Sequence, residues 1–421
     1  MMIRPSLLAL ACVLAPAQER TQEFRLATGL RCVLVENHSR PLIRMELKVR
    51  VGPEFAPDLD DGSLGVLARM LASAGAGSYS RTDFNRAADD LGLVLGFEAR
   101  RDGLHWRLLA PSTAQEPAME FLANAVFRPT LDGPALETER KLLAQNAAIL
   151  PVRDAGIAAF EWDLRDPRAL LEPRGAGLER LQLAGILALQ QRLLRPENAV
   201  LVLYGDLSLT QARQLALLHL GVWGPSPAPA PSGPAAPAPA GTRFAALLEG
   251  GARAELWAGA IRPGPVRPEL EELLAILLEG IALTPYDGLD LTAALEPGGP
   301  IRFKATGRDA NRLTLVPGLM VALDLLRNKG FSEGDLERAK VLWRARNAAR
   351  TLHPAAQVRQ LLLEPASATA AAVAGLTIQE VDAALAAWLQ PEAMRFLLLG
   401  GNQAMLQAGE KALGTAILLK P

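Results

Sequence analysis

The sequence predicts an α+β protein made of two homologous lobes, each a mostly antiparallel β-sheet packed with α-helices. Three observations support this prediction. The chain has 421 residues, half of them hydrophobic, which is enough for two cores of ordinary size. A proline-rich segment divides it into parts of similar length. Patterns of the first part then recur, in the same order, in the second.

Residues 1–17 have the features of an export signal. Arg4 supplies the positive charge, residues 6–14 the apolar run, and residues 15–17 a cleavage pattern of small residues. The apolar run is too short to cross a bilayer, so no membrane span is expected here. We therefore expect an exported, periplasmic protein. Cys12 leaves a second possibility open, which is a lipid anchor attached to this cysteine.

The charge balance argues against a nucleic-acid partner. The chain has 44 basic and 45 acidic residues, so it has no excess positive charge to hold a phosphate backbone. Aromatic residues make up only 5% of the chain, too few to suggest a platform for stacked bases.

A linker is predicted at residues 224–241, which contain seven prolines. Because proline fixes φ and removes a hydrogen-bond donor, such a segment is an extended, semi-rigid spacer. It separates a predicted N-terminal lobe at residues 24–223 from a C-terminal lobe at residues 242–421. Within each lobe, alternation and apolar runs predict two strands, a helix, two strands, several helices and a last strand.

The two halves resemble each other in sequence. Residues 196–206 and 391–401 both start with Pro-Glu, continue as an apolar strand and end at glycine, and they lie 195 positions apart. Helical segments ending in Asn-Ala-Ala, at Asn146 and Asn347, repeat after 201 positions. A pair of early strands, around Glu46 and Glu255, repeats after 209 positions. The drift in spacing indicates loop insertions after an internal duplication.

Short motifs occur along the chain, four in the first half at residues 28–37 (TGLRCVLVEN), 49–52, 79–92 and 127–140, and two in the second half at residues 330–340 and 375–391. Their order and spacing resemble those of the insulinase/pitrilysin-type (M16) zinc metallopeptidases in their two-domain form. The resemblance extends from about residue 24 to 415. It implies a clamshell arrangement of two lobes around a chamber that accepts extended peptides along an exposed strand edge.

The resemblance also implies a zinc site, and its residues are missing. Active members carry an inverted His-x-x-Glu-His motif on a helix and a downstream Glu. In this sequence Gly65 and Arg69 stand at the histidine positions, Ala68 at the general base and Asn146 at the third ligand. Zinc needs three fixed N, O or S ligands and one open position for water. We therefore expect no zinc and no other cofactor.

No substitute catalytic group is apparent in the sequence. The four histidines, at positions 38, 105, 219 and 353, lack metal-ligand spacing. An acidic cluster at residues 54–61 has the oxygen ligands that Ca²⁺ prefers, although a solvated loop explains it better. Cys32, the only cysteine left after cleavage, lies in a strand-like run and is interpreted as a small buried hydrophobic residue.

A second pair of family positions is altered as well. Family members hold substrate with an Arg and a Tyr in the second half, and the resemblance places Glu296 and Phe303 at these positions. A reversed charge and a lost hydroxyl would remove both contacts.

These features favour a catalytically inactive subunit, a pseudo-metallopeptidase. It would bind extended peptides and pair with a zinc-bearing paralogue as a heterodimer, or form a homodimer, in the bacterial envelope. A stand-alone peptide-binding or chaperone-like exported protein is the alternative. A third hypothesis, an active metalloendopeptidase with an unconventional site, has no candidate residues in the sequence.

Overall fold

The computed structural model describes residues 20–51, 62–100, 103–149, 151–164, 166, 171, 178–224, 243–248, 253–261, 266–280, 289–295, 298–308, 313–351, 353–362 and 368–419. The predicted signal peptide, the acidic cluster at residues 54–61 and nearly all of the predicted linker lie outside these residues. Among the residues that are described, no helix combines the length and the apolar character that crossing a membrane requires.

The first half of the chain contributes six strands and seven helices to the described structure. In chain order these are β1 (Arg20–Arg25), β2 (Arg31–Glu36), β3 (Leu42–Val49), α1 (Ser63–Ser73), α2 (Arg81–Asp90), β4 (Val94–Arg100), β5 (Gly103–Pro111), α3 (Gln115–Phe127), α4 (Gly133–Ile149), α5 (Val152–Asp163), α6 (Leu183–Leu193), β6 (Ala199–Gly205) and α7 (Leu209–Leu220).

The second half contributes the same number of elements. They are β7 (Arg243–Leu247), β8 (Arg253–Ala260), α8 (Pro268–Glu279), β9 (Leu289–Leu295), β10 (Ile301–Arg308), α9 (Leu315–Lys329), α10 (Glu333–Thr351), α11 (Pro354–Leu362), α12 (Ala370–Ala374), α13 (Ile378–Trp388), β11 (Met394–Leu399), α14 (Gln403–Leu413) and β12 (Ala416–Leu418).

Each half builds one six-stranded sheet. The first lobe has the order β1-β2-β6-β3-β5-β4 and the second lobe β12-β7-β11-β8-β10-β9. Five neighbouring strands therefore follow the same order in both sheets. Most pairs are antiparallel, and the parallel ones are β2–β6, β7–β11 and β7–β12. The predicted class, α+β with two homologous and mostly antiparallel lobes, is confirmed.

The predicted elements occur in the predicted order in both lobes, and each lobe contains further elements. The first lobe adds β1 before the predicted strands, α2 after the predicted helix and α7 after the last predicted strand, whereas the second lobe adds α14 and β12 after its last predicted strand. The sequence of β1, RTQEFR, has one buried apolar residue, Phe24, so its pattern gives little indication of a strand. Its hydrogen bonds to β2, rather than its own composition, make it a strand.

Alternating residues divide each strand between two faces of the sheet. In β3, Ile43, Met45 and Leu47 enter the first hydrophobic core. Glu46 and Lys48 lie on the opposite face and are nonetheless buried, at 2% and 3% exposure. Another part of the chain must therefore cover the face of the first sheet that carries Glu46 and Lys48.

That cover comes from the other half of the chain. Helix α11, from the second half, packs Val358 and Leu362 against Val33, Val200 and Val202 of the first sheet. Helix α5, from the first half, packs Phe160 and Leu164 on Leu247, Leu397 and Leu399 of the second sheet. Each lobe thus buries an apolar face under a helix of the other, so the two lobes are interlocked.

Polar contacts strengthen the same seam. Lys48 Nζ donates to the Leu362 carbonyl at 3.1 Å, where α11 ends. Arg302 of β10 pairs with Asp166, which is fully buried just after α5, at 2.5 Å. Both contacts join charged side chains across the two lobes, and separating the lobes would break these contacts.

Candidate functional site

Helix α1 carries the positions at which the sequence predicts a lost metal site. It begins after Gly62, whose φ of 83° suits glycine, and it buries Leu64, Leu67 and Met70 in the first core. Gly65 and Ala68 are buried in the same helix. A glycine and a methyl group bring no metal ligand and no proton acceptor to this site.

Arg69 is held by a buried carboxylate of α4. Its Nε donates to Oε2 of Glu139 at 2.8 Å, and the Ser73 hydroxyl donates to Oε1 at 3.1 Å. Glu139 is only 5% exposed, whereas the Arg69 side chain is 40% exposed. A permanent cation and a buried anion therefore neutralise each other between α1 and α4.

Asn146, the predicted third-ligand position, is exposed on α4. It follows Glu139 by seven residues, or two turns, which places both on the same side of the helix. The structure therefore brings Arg69 and Glu139 together, with Asn146 further along the same helix.

These residues do not fit zinc. Its divalent charge would meet the fixed guanidinium of Arg69, and one amide is a poor ligand set for this metal. Within the described ranges, no group of three or more His, Cys, Asp or Glu side chains is arranged to hold a metal ion. The acidic cluster at residues 54–61 lies outside those ranges.

Cys32 has the environment predicted for it. It lies in β2, fully buried, and burial raises the pKa of its thiol to about 12. A thiol that remains protonated is neither a nucleophile nor a metal ligand at neutral pH.

His38 lies between two carboxylates. Its Nδ1 lies 2.7 Å from Asp206 Oδ1 and its Nε2 2.9 Å from Glu36 Oε1, at the ends of the parallel strands β6 and β2. The hydrogen bond to Asp206, and then the one to Glu36, raise the pKa of His38 above its ordinary value of 6.5. The side chain is 55% exposed, so this cluster is a surface feature.

We expect replacement of His38 by Asn to lower stability slightly at acidic pH and to have less effect at alkaline pH. A pKa raised by folding contributes stability below the unfolded value, and this is lost as pH rises through the folded value. The effect is small because the group is exposed. The denaturant midpoints of both proteins, measured from acidic to alkaline pH, test this prediction. An equal difference in midpoint at all pH values would contradict it.

The strand edge beside α1 is the other feature of this region. Within the described residues, β4 pairs with β5 alone, so its outer edge has no strand partner. A small cleft lies beside β4 and is lined by residues of α1, α2, β4 and β5 and of the turns next to them. Its walls include Leu71, Phe84, Phe97 and Trp106, and Arg81 is a lining residue with a charged side chain.

Aromatic packing and one glycine fix the shape of this cleft. Phe84 of α2 stacks on Phe121 of α3 with ring centroids 4.9 Å apart, and Phe97 meets Trp106 edge to face at 5.0 Å. At Gly75 a Cβ would lie 2.2 Å from the Tyr79 carbonyl oxygen, so the turn between α1 and α2 requires glycine there. These contacts define the walls of the cleft.

Of the two altered substrate-binding positions predicted in the second half, only Phe303 lies within the described residues. Phe303 is fully buried in the core of the second lobe, on β10. Glu296 lies outside the described residues. On the opposite face of β10, Arg302 pairs with Asp166 of the seam described above.

Two residues of this region, Glu139 and Arg81, could not be identified from the sequence. Glu139 is part of the motif at residues 127–140, but nothing in the sequence shows that its carboxylate meets a side chain 70 positions earlier. Arg81 carries no signal at all, because a single arginine after a helix-capping serine is ordinary.

Comparison with known proteins agrees with this architecture. No family model matches the sequence, and no curated protein matches it. Among solved structures, an M16 peptidase inactive domain from Pseudomonas fluorescens superimposes with a TM-score of 0.72 at 19% identity, covering 95% of this chain and 100% of its own. A protease from Helicobacter pylori superimposes with a TM-score of 0.71 at 14% identity, covering 90% of this chain and 99% of its own.

A third structure is longer than this chain. The periplasmic protease PqqL from Escherichia coli superimposes with a TM-score of 0.67 at 15% identity, covering 95% of this chain but 50% of PqqL. The chain therefore has the two-lobed fold of the M16-type peptidases. The resemblance predicted from the motifs is confirmed at the level of the fold.

Proposed function

We propose that this chain is a peptidase-fold subunit without catalytic activity, which binds extended peptide segments and assembles with a zinc-bearing paralogue. The observation that carries the proposal is the α1–α4 pair. Gly65 and Ala68 supply no ligand there, and the charge of Arg69 is already paired with Glu139 at 2.8 Å.

Peptide binding is supported by the outer edge of β4. A strand edge offers backbone N–H and C=O groups to an extended chain, and this kind of pairing needs no metal. The cleft beside β4 offers a place for one small group carried by such a peptide. Binding can therefore persist in a chain that lacks catalysis.

Assembly with a second subunit is supported by the size of the unit. This chain matches the whole of the P. fluorescens inactive domain and only half of PqqL. A unit of this size thus accounts for half of one longer protease. We propose that this chain supplies the zinc-free half of such an assembly, with a homodimer as the other arrangement.

We further propose that the protein is exported to the periplasm. The features of residues 1–17 support this, as does the periplasmic location of PqqL. The alternative form of this proposal is an exported protein that is anchored by a lipid attached to Cys12. The boundaries at 24–223, 224–241 and 242–421 remain our prediction for the domains.

The proposal is tested by mixing the purified chain with fluorescent extended peptides, with and without a chelator. We expect saturable binding, intact peptide by mass spectrometry, and no effect of the chelator. Cleavage that the chelator abolishes would contradict the proposal.

The stand-alone binding function is separated from the paired one by affinity purification from the native host. Recovery of a zinc-bearing relative in equal amount supports the subunit. A chain that is recovered only with peptides supports the chaperone-like alternative, which the free edge of β4 also favours.

A further inference from the structure

Arg81 lines the cleft beside β4 and has no counterion among the described residues. It is the first residue of α2, and its side chain is half-buried. Its guanidinium makes a single long contact within the described structure, 3.4 Å from Nη1 to the Ala74 carbonyl. Asp83, two positions further on, is already engaged, accepting from Ser80 at 2.7 Å and pairing with Arg86 at 3.7 Å.

The guanidinium of Arg81 has no carboxylate partner among the described residues, and it lies beside a cleft that is lined by apolar side chains and by backbone groups. Arginine presents a planar set of N–H donors that matches a carboxylate, and apolar surroundings strengthen such a pair by excluding water. The walls here are Leu71, Phe84, Phe97 and Trp106. A ligand with a negative charge would therefore pair with the guanidinium of Arg81 in this cleft.

The size of the cleft limits what enters it. There is room for roughly one or two water-sized groups, which is too little for an aromatic side chain. A carboxylate, with two oxygens on one carbon, is of that size. It can meet the guanidinium while the rest of the ligand stays on the surface.

The free edge of β4 supplies the rest of the ligand. A peptide paired with this edge points every second side chain to the same face of the sheet as Leu95 and Phe97, which line the cleft. We infer that the cleft beside β4 is a carboxylate-binding subsite, with Arg81 as its donor, for an acidic residue or a C-terminal carboxylate of a strand-paired peptide. This inference rests on the peptide binding proposed above and adds a preference to it.

The test uses fluorescent decapeptides of alternating valine and threonine, measured by anisotropy with the full chain. One arm compares Asp, Asn and Ala at a single central position, and the other a C-terminal acid with its amide. Arg81→Gln removes the charge. Arg86→Gln, on the same helix and 71% exposed, is the matched control. Circular dichroism checks that both variants are folded.

We expect the acidic peptide of one arm to bind at least about tenfold more tightly than its neutral counterpart, with a preference that shrinks as salt is added. A preference in the first arm identifies an acidic side chain as the source of the carboxylate, and a preference in the second arm identifies the C-terminus. Arg81→Gln should remove the preference and leave the neutral peptide unchanged, whereas Arg86→Gln should keep it.

Two results would overturn the subsite alone, namely equal binding of all peptides by the unmodified chain, or a preference that survives Arg81→Gln. If no peptide binds at all, the proposed peptide-binding function fails together with the subsite.

Discussion

Replacing Phe160 with Ala is expected to destabilise the protein by roughly 3–5 kcal/mol, the cost of removing a buried aromatic side chain from a packed core. Phe160 lies on α5 and is 5% exposed. It packs against Leu247, Leu397 and Leu399 of the other lobe, with the Trp257 ring 6.5 Å away. The cavity would therefore open on the second sheet, although the residue belongs to the first half.

Hydrogen exchange measured by mass spectrometry identifies the elements that this substitution destabilises. We expect faster exchange in β7 and β11, the strands that α5 covers. Leu217→Ala on α7 is the control, since that side chain is 63% exposed and its loss should change stability by no more than about 0.5 kcal/mol. Faster exchange confined to the first half would contradict the interlocked arrangement.

Replacing Arg69 with Met has the second largest expected effect, a loss of about 2 kcal/mol. Breaking a buried ion pair costs roughly 3–5 kcal/mol because one charge is left unpaired, and the 40% exposure of Arg69 reduces that figure. Among the described residues, the Ser73 hydroxyl would then be the remaining partner of Glu139. Denaturant unfolding measures the change.

A double-mutant cycle separates this pair from simple packing. Combining Arg69→Met with Glu139→Leu removes the stranded carboxylate, so we expect the double variant to be more stable than Arg69→Met alone. Additive losses from the two substitutions would show that the ion pair does not hold α1 against α4.

Much of the fold can be predicted from the sequence, because its signals are local. The alternation in β3 and the strands after Pro196 and Pro391 define two similar sheets. Both prolines begin short 3₁₀ turns that lead into β6 and β11, as the repeat predicts.

The interlocked lobes could not be predicted in the same way. The apolar residues of α5 and α11 indicate that each helix buries a face, but not which sheet receives it. The choice depends on chain paths that cross between the lobes, and helical periodicity carries no information about them.

The candidate site, like the fold, can be predicted only in part from the sequence. The loss of zinc ligands at Gly65, Arg69 and Asn146 and of the general base at Ala68 is a matter of residue type, so the sequence predicts it. The partner of Arg69 depends on how α1 packs against α4.

Isothermal titration of the metal-free full chain with Zn²⁺ tests the central claim most directly, alongside a matched variant, Arg86→Gln, as a surface control. We predict no stoichiometric binding stronger than weak surface association, and no shift in thermal stability when zinc is added. One tightly bound zinc per chain, lost on substitution at Asn146 or Glu139, would contradict the account.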